Sequence, residues 1–145
     1  MDEHETLPRF VAILNSNEDL VRLVRETLHD EGYLTMQHHI KDLRDGHTDI
    51  TRLFEDRNPQ VVIYDIAAPF TLDWQFFQVL SRHPTMTNRQ VVLTTNNAAA
   101  LEKICHVQAL QVVGSDDDLR ELLARVKDAF ERVRQSTRGL HAHRA

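Results

Sequence analysis

The best candidate for chemistry in this sequence is a carboxylate at the end of an apolar run, Val61-Val62-Ile63-Tyr64-Asp65, which continues as Ile66-Ala67-Ala68-Pro69. Three β-branched residues and a tyrosine read as a strand buried on both faces. Asp65 then stands at its carboxyl end, where open α/β sheets place their sites. The structural role for such a carboxylate is to cap a turn by accepting backbone amides. Glu18, Asp19 and Asp73 fall in the first turns of expected helices, where acids favour the helix dipole and face solvent. The nine histidines do not read as a metal site. His38 and His39 are adjacent, so on a strand they point to opposite faces, and His141 and His143 fall in a polar tail. Cys105 belongs to the inner face of a helix as a small core residue. Phe76 and Phe77 read as core, whereas Trp74 reads as an exposed aromatic suited to contact with another protein.

These residues need elements to position them. Residues 1–8 are polar and end in Pro8, a loose arm. Phe10 to Leu14 is a buried strand, and Asn15-Ser16-Asn17 offers side chains that cap the following helix. Leu20, Leu23, Val24, Thr27 and Leu28 line one face of that helix, and Gly32 ends it. Tyr33 to about Gln37 is a more polar strand, suited to an edge. Between residues 40 and 58, Asp45-Gly46 marks a loop, and Ile50, Leu53 and Phe54 mark a short helix that stops at Pro59. A helix over Thr71 to His83 is expected to bury Leu72, Phe76, Phe77, Val79 and Leu80. Val91 to Thr94 is a strand. Asn96 or Asn97 caps a helix to His106, with Leu101, Ile104 and Cys105 inward. Leu110 to Val113 is the last strand, closed by Gly114. Ser115 and Asp118 resemble a capping box for a final helix with an apolar stripe from Leu119 to Val133. From Ser136 the chain turns polar and basic.

The expected organisation is therefore an arm over 1–8, one domain over 9–135 and a disordered basic tail over 136–145. Five strands alternating with five helices predict a doubly wound α/β sandwich, (βα)5, around a five-stranded parallel sheet. A chain of 145 residues with 41% hydrophobic and 27% charged residues has ordinary globular composition. A net charge of −5 gives no electrostatic footprint for nucleic acid or an anionic membrane. One cysteine excludes an internal disulfide and fits a reducing, cytoplasmic setting. The N-terminus lacks the pattern of a signal peptide, and no stretch is long enough to span a membrane.

Over roughly residues 9–133 the sequence resembles the receiver (CheY-like) domains of two-component response regulators, which makes the expected sandwich flavodoxin-like. Val11 to Gly32 is similar to the family's first strand, site loop and first helix. Val61 to Pro69 looks like the strand ending in the phosphoacceptor aspartate, with proline four residues on. Val91 to Thr95 looks like the strand ending in the site hydroxyl. The resemblance implies that Asp65 is the phosphoacceptor and Thr95 the hydroxyl, with Thr94 as the alternative register. It also implies a Mg²⁺ site at Asp65, Asn15, Ser16 and the Ala67 carbonyl. The family's acidic pair maps onto neutral Asn15 and Ser16, its lysine onto Gly114 and its switch aromatic onto Gln111. One carboxylate remains where Mg²⁺ wants several hard oxygen ligands, so the ion is expected to bind weakly, and no other cofactor is expected.

The reading is a stand-alone, non-enzymatic pseudo-receiver in phosphorelay signal transduction that acts by protein–protein contact. Its expected partners are a histidine kinase or another signalling protein, with a homodimer through the surface that many relatives use for pairing. The first alternative is a slow receiver phosphorylated on Asp65 by a histidine kinase. The second is a flavodoxin-like cofactor module, which the glycine-free, acidic Asn15–Asp19 loop disfavours as a phosphate site.

Overall fold

The computed structural model describes residues 8–144. It contains β1 (Phe10–Asn15), α1 (Val21–Asp30), β2 (Leu34–His39), α2 (Ile40–Arg44), α3 (Ile50–Arg57) and β3 (Val61–Asp65). There follow α4 (Thr71–Leu80), a 3-10 turn (Pro84–Met86), β4 (Gln90–Thr95), α5 (Ala98–Cys105), β5 (Leu110–Gln111) and α6 (Asp116–Arg144). The five strands form one parallel sheet in the order β2-β1-β3-β4-β5. The chain leaves β1 toward one edge and returns past it to β3, so the crevice at the strand carboxyl ends opens between β1 and β3. Asn15 and Asp65 close those two strands.

Strand alternation divides the core in two. Val11, Ile13, Val61, Ile63 and Val92 meet α1 and α6 through Val24, Leu28, Leu122 and Val126. Ala12, Leu14, Val62 and Tyr64 face the other way, toward Ile40, Phe54, Leu80 and Leu101. Gly32 ends α1 as expected. Its φ is +90°, and the amides of Gly32 and Tyr33 donate to His29 and Leu28 carbonyls at 2.9 and 3.1 Å, the two bonds of a Schellman motif. Beneath β3 and β4, Arg89 clamps the loop that enters β3. It donates to Thr85 O, Asn58 Oδ1 and Pro59 O, and its guanidinium lies 4.9 Å from the centre of the Phe54 ring.

The sequence reading is corrected in several places. There are six α-helices among the described residues, because Ile40 and Leu43 anchor a five-residue helix directly after β2. Asn15-Ser16-Asn17 does not cap α1; its N-cap is Leu20, without a side-chain bond. Asn17 Oδ1 instead accepts from the Asp19 amide at 2.9 Å, a local turn. Asn97, not Asn96, caps α5, and Ile104 is exposed rather than inward. Helix α4 is rotated from its expected setting: Leu72 and Val79 are exposed, while Asp73 and Leu80 are buried. Trp74 is half-buried, stacked on Phe77 with ring centres 5.8 Å apart. Helix α6 carries helical backbone to Arg144, where the sequence led us to expect disorder from Ser136, since no proline interrupts it. The arm expected over 1–8 lies, apart from Pro8, outside the described residues.

Candidate functional site

Adjacent residues on a strand point to opposite faces, so the partner of Asp65 is decided by register. Asp65 pairs with Thr94 across β3 and β4. Thr94 Oγ1 donates to Asp65 Oδ1 at 2.6 Å. Thr95, the first choice from the sequence, faces the other layer, where its hydroxyl donates to the Ile66 carbonyl at 2.7 Å. The hydroxyl on the carboxylate is therefore the alternative, Thr94.

Asp65 is half-buried. Burial raises its pKa above the ordinary carboxylate value; the Thr94 hydrogen bond lowers it, and the nearby charge of Asp73 raises it. A raised native pKa means the folded state holds this proton more tightly than the unfolded chain. The contribution to stability is full below the unfolded carboxylate pKa and is lost as pH rises through the native one. Asp65→Asn keeps an acceptor for Thr94 and removes the charge. It is expected to melt a few degrees above the parent at neutral pH, and the gap should close as pH falls below the unfolded carboxylate pKa. Melting curves across that range check the sign.

Asp73 is the residue beside this site that sequence reasoning misplaced. It was assigned to solvent, yet it is 5% exposed. Asp73, Phe77 and Leu80 sit at i, i+4 and i+7, so the face of α4 that meets the sheet carries an acid in its first turn. There it reaches the strand ends. Ser16 Oγ donates to both carboxylate oxygens at 3.0 and 2.9 Å, and the Ala67 amide donates to Oδ2 at 3.1 Å. Arg44 approaches within 3.9 Å. The Tyr64 hydroxyl, inside the core, donates to the Asp73 main-chain carbonyl at 2.6 Å. Burial is the main cause that pushes the Tyr64 pKa above its ordinary value. The sequence signal for Asp73 was its register with Phe77 and Leu80.

The remaining residues of the implied Mg²⁺ site are engaged. Asn15 is 1% exposed; its amide donates to Asn17 O at 2.9 Å and accepts from Gln37 at 2.7 Å. Ser16 is held by Asp73. The Ala67 carbonyl accepts from the Phe70 amide at 2.8 Å. Glu18 turns away to pair with His39 at 2.5 Å. Among the described residues no three His, Cys, Asp or Glu side chains group as metal ligands. The donor set offers Mg²⁺ a single carboxylate, Asp65, beside oxygens that are already hydrogen-bonded, a poor match to near-octahedral hard-oxygen coordination.

The other two departures have structural partners. Gly114 has φ +104°, and a Cβ there would lie 3.1 Å from Leu20 Cδ2. A lysine at this position would be both backbone-strained and crowded. Gln111 Oε1 accepts from the Ala98 amide at 2.9 Å and so ties β5 to the start of α5. Ser115 Oγ accepts from the Asp118 amide, and Asp118 reaches back to the Val113 amide, the main cause that lowers its pKa.

No family model and no curated protein matches the sequence. Solved structures do match. A sensor protein from a Polaromonas species is 16% identical with a TM-score of 0.64, over 86% of this chain and 98% of that one. A CheY-like response regulator receiver domain protein from Methanospirillum hungatei is 13% identical with a TM-score of 0.62, over 90% and 99%. The chemotaxis response regulator CheY4 of Vibrio cholerae is 15% identical with a TM-score of 0.56, over 83% and 99%. The chain has the CheY-like receiver fold, with its five-stranded parallel sheet in flavodoxin-like order. Among the described residues no helix is long and apolar enough to cross a membrane.

Proposed function

We propose that this chain is a pseudo-receiver: a receiver-fold module of two-component signalling that works by binding a partner protein rather than by accepting a phosphoryl group on Asp65. One observation carries the reading. Asp73 spends its carboxylate on Ser16 and the Ala67 amide, beside Asp65, where a divalent cation would need free oxygens. Phosphoryl transfer to a carboxylate brings two anions together and needs cation or fixed donors to neutralise the transferring oxygens. Here the added negative charge comes from Asp73, and the lysine position is Gly114.

The Gln111–Ala98 bond supports the same reading. A side chain that in a switching receiver would move is replaced by one that pins β5 to α5. The partner is a signalling protein. One observation favours the alternative of a slow receiver loaded by a histidine kinase: Thr94 still donates to Asp65.

Titration with Mg²⁺ and beryllofluoride decides between the two. Trp74 follows Asp73 in sequence and packs on Phe77, so its fluorescence reports on the site, with backbone NMR as the second readout. We expect no saturable change at millimolar Mg²⁺. Saturable shifts that vanish in Asp65→Asn would sink the pseudo-receiver and favour the slow receiver.

A further inference from the structure

Helix α4 exposes no charge. Its one ionisable acid, Asp73, is buried, and its solvent side is made of Thr71, Leu72, Gln75, Gln78 and Val79. Every other α-helix among the described residues exposes at least one Lys, Arg, Asp or Glu. A surface helix that has filled its buried stripe ordinarily keeps the opposite face polar. Helix α4 is apolar on two sides. Phe77 and Leu80 pack into the layer beneath it. Leu72 and Val79 remain 49% and 65% exposed, with half-buried Phe76 between them. These three stand at i, i+4 and i+7, so they form one stripe along the helix.

Charge and symmetry say what covers that stripe. A net charge of −5 makes two copies of the chain repel overall. A face without charge is where they approach at least cost, and the centres of interfaces are depleted of charge and rich in aromatic residues. The stripe also matches itself. With two α4 helices antiparallel about a two-fold axis, Leu72 of one copy meets Val79 of the other, and Val79 meets Leu72, the reciprocal pattern of an isologous contact. Gln75, exposed near the midpoint, carries both donors and an acceptor and can bond its own counterpart. The geometry points to a second copy of this chain as the occupant, docked α4 against α4 in antiparallel. The pairing is independent of whether Asp65 accepts a phosphoryl group. It is also distinct from the surface of α5 and β5, where Ile104 and Val113 are comparably exposed, at 53% and 54%. A helix of 10 residues is about 15 Å long, so the contact falls at the small end of the interface range and the dimer is weak.

The test is sedimentation equilibrium of the full chain from roughly 10 µM to 1 mM, the range in which a weak dimer forms. The apparent mass should rise from 16.8 kDa toward twice that value. Leu72→Lys and Val79→Asp are placed at exposed positions that leave the fold intact, which melting curves verify. Each alone should weaken association at least about tenfold, because a charge would be buried against an apolar side chain. An equimolar mixture of the two should associate more tightly than either variant alone, since the new ammonium then meets the new carboxylate across the two-fold axis. Ile104→Lys and Val113→Lys should leave the dimer unchanged. A chain that stays monomeric throughout would leave the stripe to a different protein and overturn the proposal. A dimer indifferent to both α4 substitutions, one lost with Ile104→Lys or Val113→Lys, or a mixture no tighter than its components would overturn it as well.

Discussion

Asp73→Ala is expected to lower the stability of the chain by roughly 2–4 kcal/mol. The carboxylate is 5% exposed and accepts from Ser16 and the Ala67 amide. Removing it strands the Ala67 amide and leaves Arg44 without its anion. Ser16 and Arg44 can turn to water, which sets the lower end of the range; the half-buried Ala67 amide, held in place by the turn, is the group left hardest to satisfy. Asp73→Asn keeps an acceptor but not the charge. Hydrogen bonds to charged groups are roughly twice as strong as neutral ones, so it should lose about half as much. Urea midpoints of the two variants check the order. A loss within error for Asp73→Ala would mean that the carboxylate is a bystander, and the argument against a metal at Asp65 would weaken with it. Both variants should also bring the Asp65 pKa down, because Asp73 contributes to raising it.

The second large effect is a gain. Asn15→Asp with Ser16→Asp, in an Asp73→Asn background, should bind Mg²⁺ at least about tenfold more tightly than the parent, some 1.4 kcal/mol. The two new acids join Asp65 at the carboxyl ends of β1 and β3. Three carboxylates then face one crevice, and their mutual repulsion is relieved by a divalent cation. The background substitution matters because Ser16 donates to Asp73 in the parent, and an aspartate at 16 would meet Asp73 as a like charge. Without metal this variant should be less stable than the parent, since an acid at the buried position 15 would face the Asn17 carbonyl, to which Asn15 now donates. Added Mg²⁺ should recover stability through binding to the folded state. Melting temperature against Mg²⁺ concentration measures both halves. A flat profile would show that the crevice is unsuited to the ion for a reason other than its missing acids. Gly114→Lys is not part of this design, because its left-handed backbone and the contact with Leu20 would confound the result.

The two predictions turn on residues that differed in how readable they were. Asp65 was legible because a β-branched apolar run reads as a buried strand, and the carboxyl ends of strands in an open α/β sheet are where its crevice forms. The doubly wound order was legible because strands and helices announce different apolar periods. Gly32 was legible because the left-handed turn after a helix favours glycine. Helix α2 was not legible: five residues hold one turn, too short for a period to register. The buried side of α4 was misjudged because Leu72, Phe76 and Val79 offer as good an apolar stripe as Phe77 and Leu80. Only packing against β3 selects the stripe that includes an aspartate.

The sequence by itself determined the fold, the position of Asp65 at a sheet crevice, and the absence of acids at 15 and 16 and of a side chain at 114. Composition and periodicity are local properties, and they survive without knowledge of neighbours. The tertiary structure decided what those absences left behind. Thr94 rather than Thr95 holds Asp65, because one residue of strand register reverses every side chain. Asp73 closes over Ser16 and Ala67, because the rotation of α4 about its axis is set by long-range packing. Both outcomes depend on which surfaces meet across the sheet, and residues 15, 65, 73 and 94 meet there only in the folded chain.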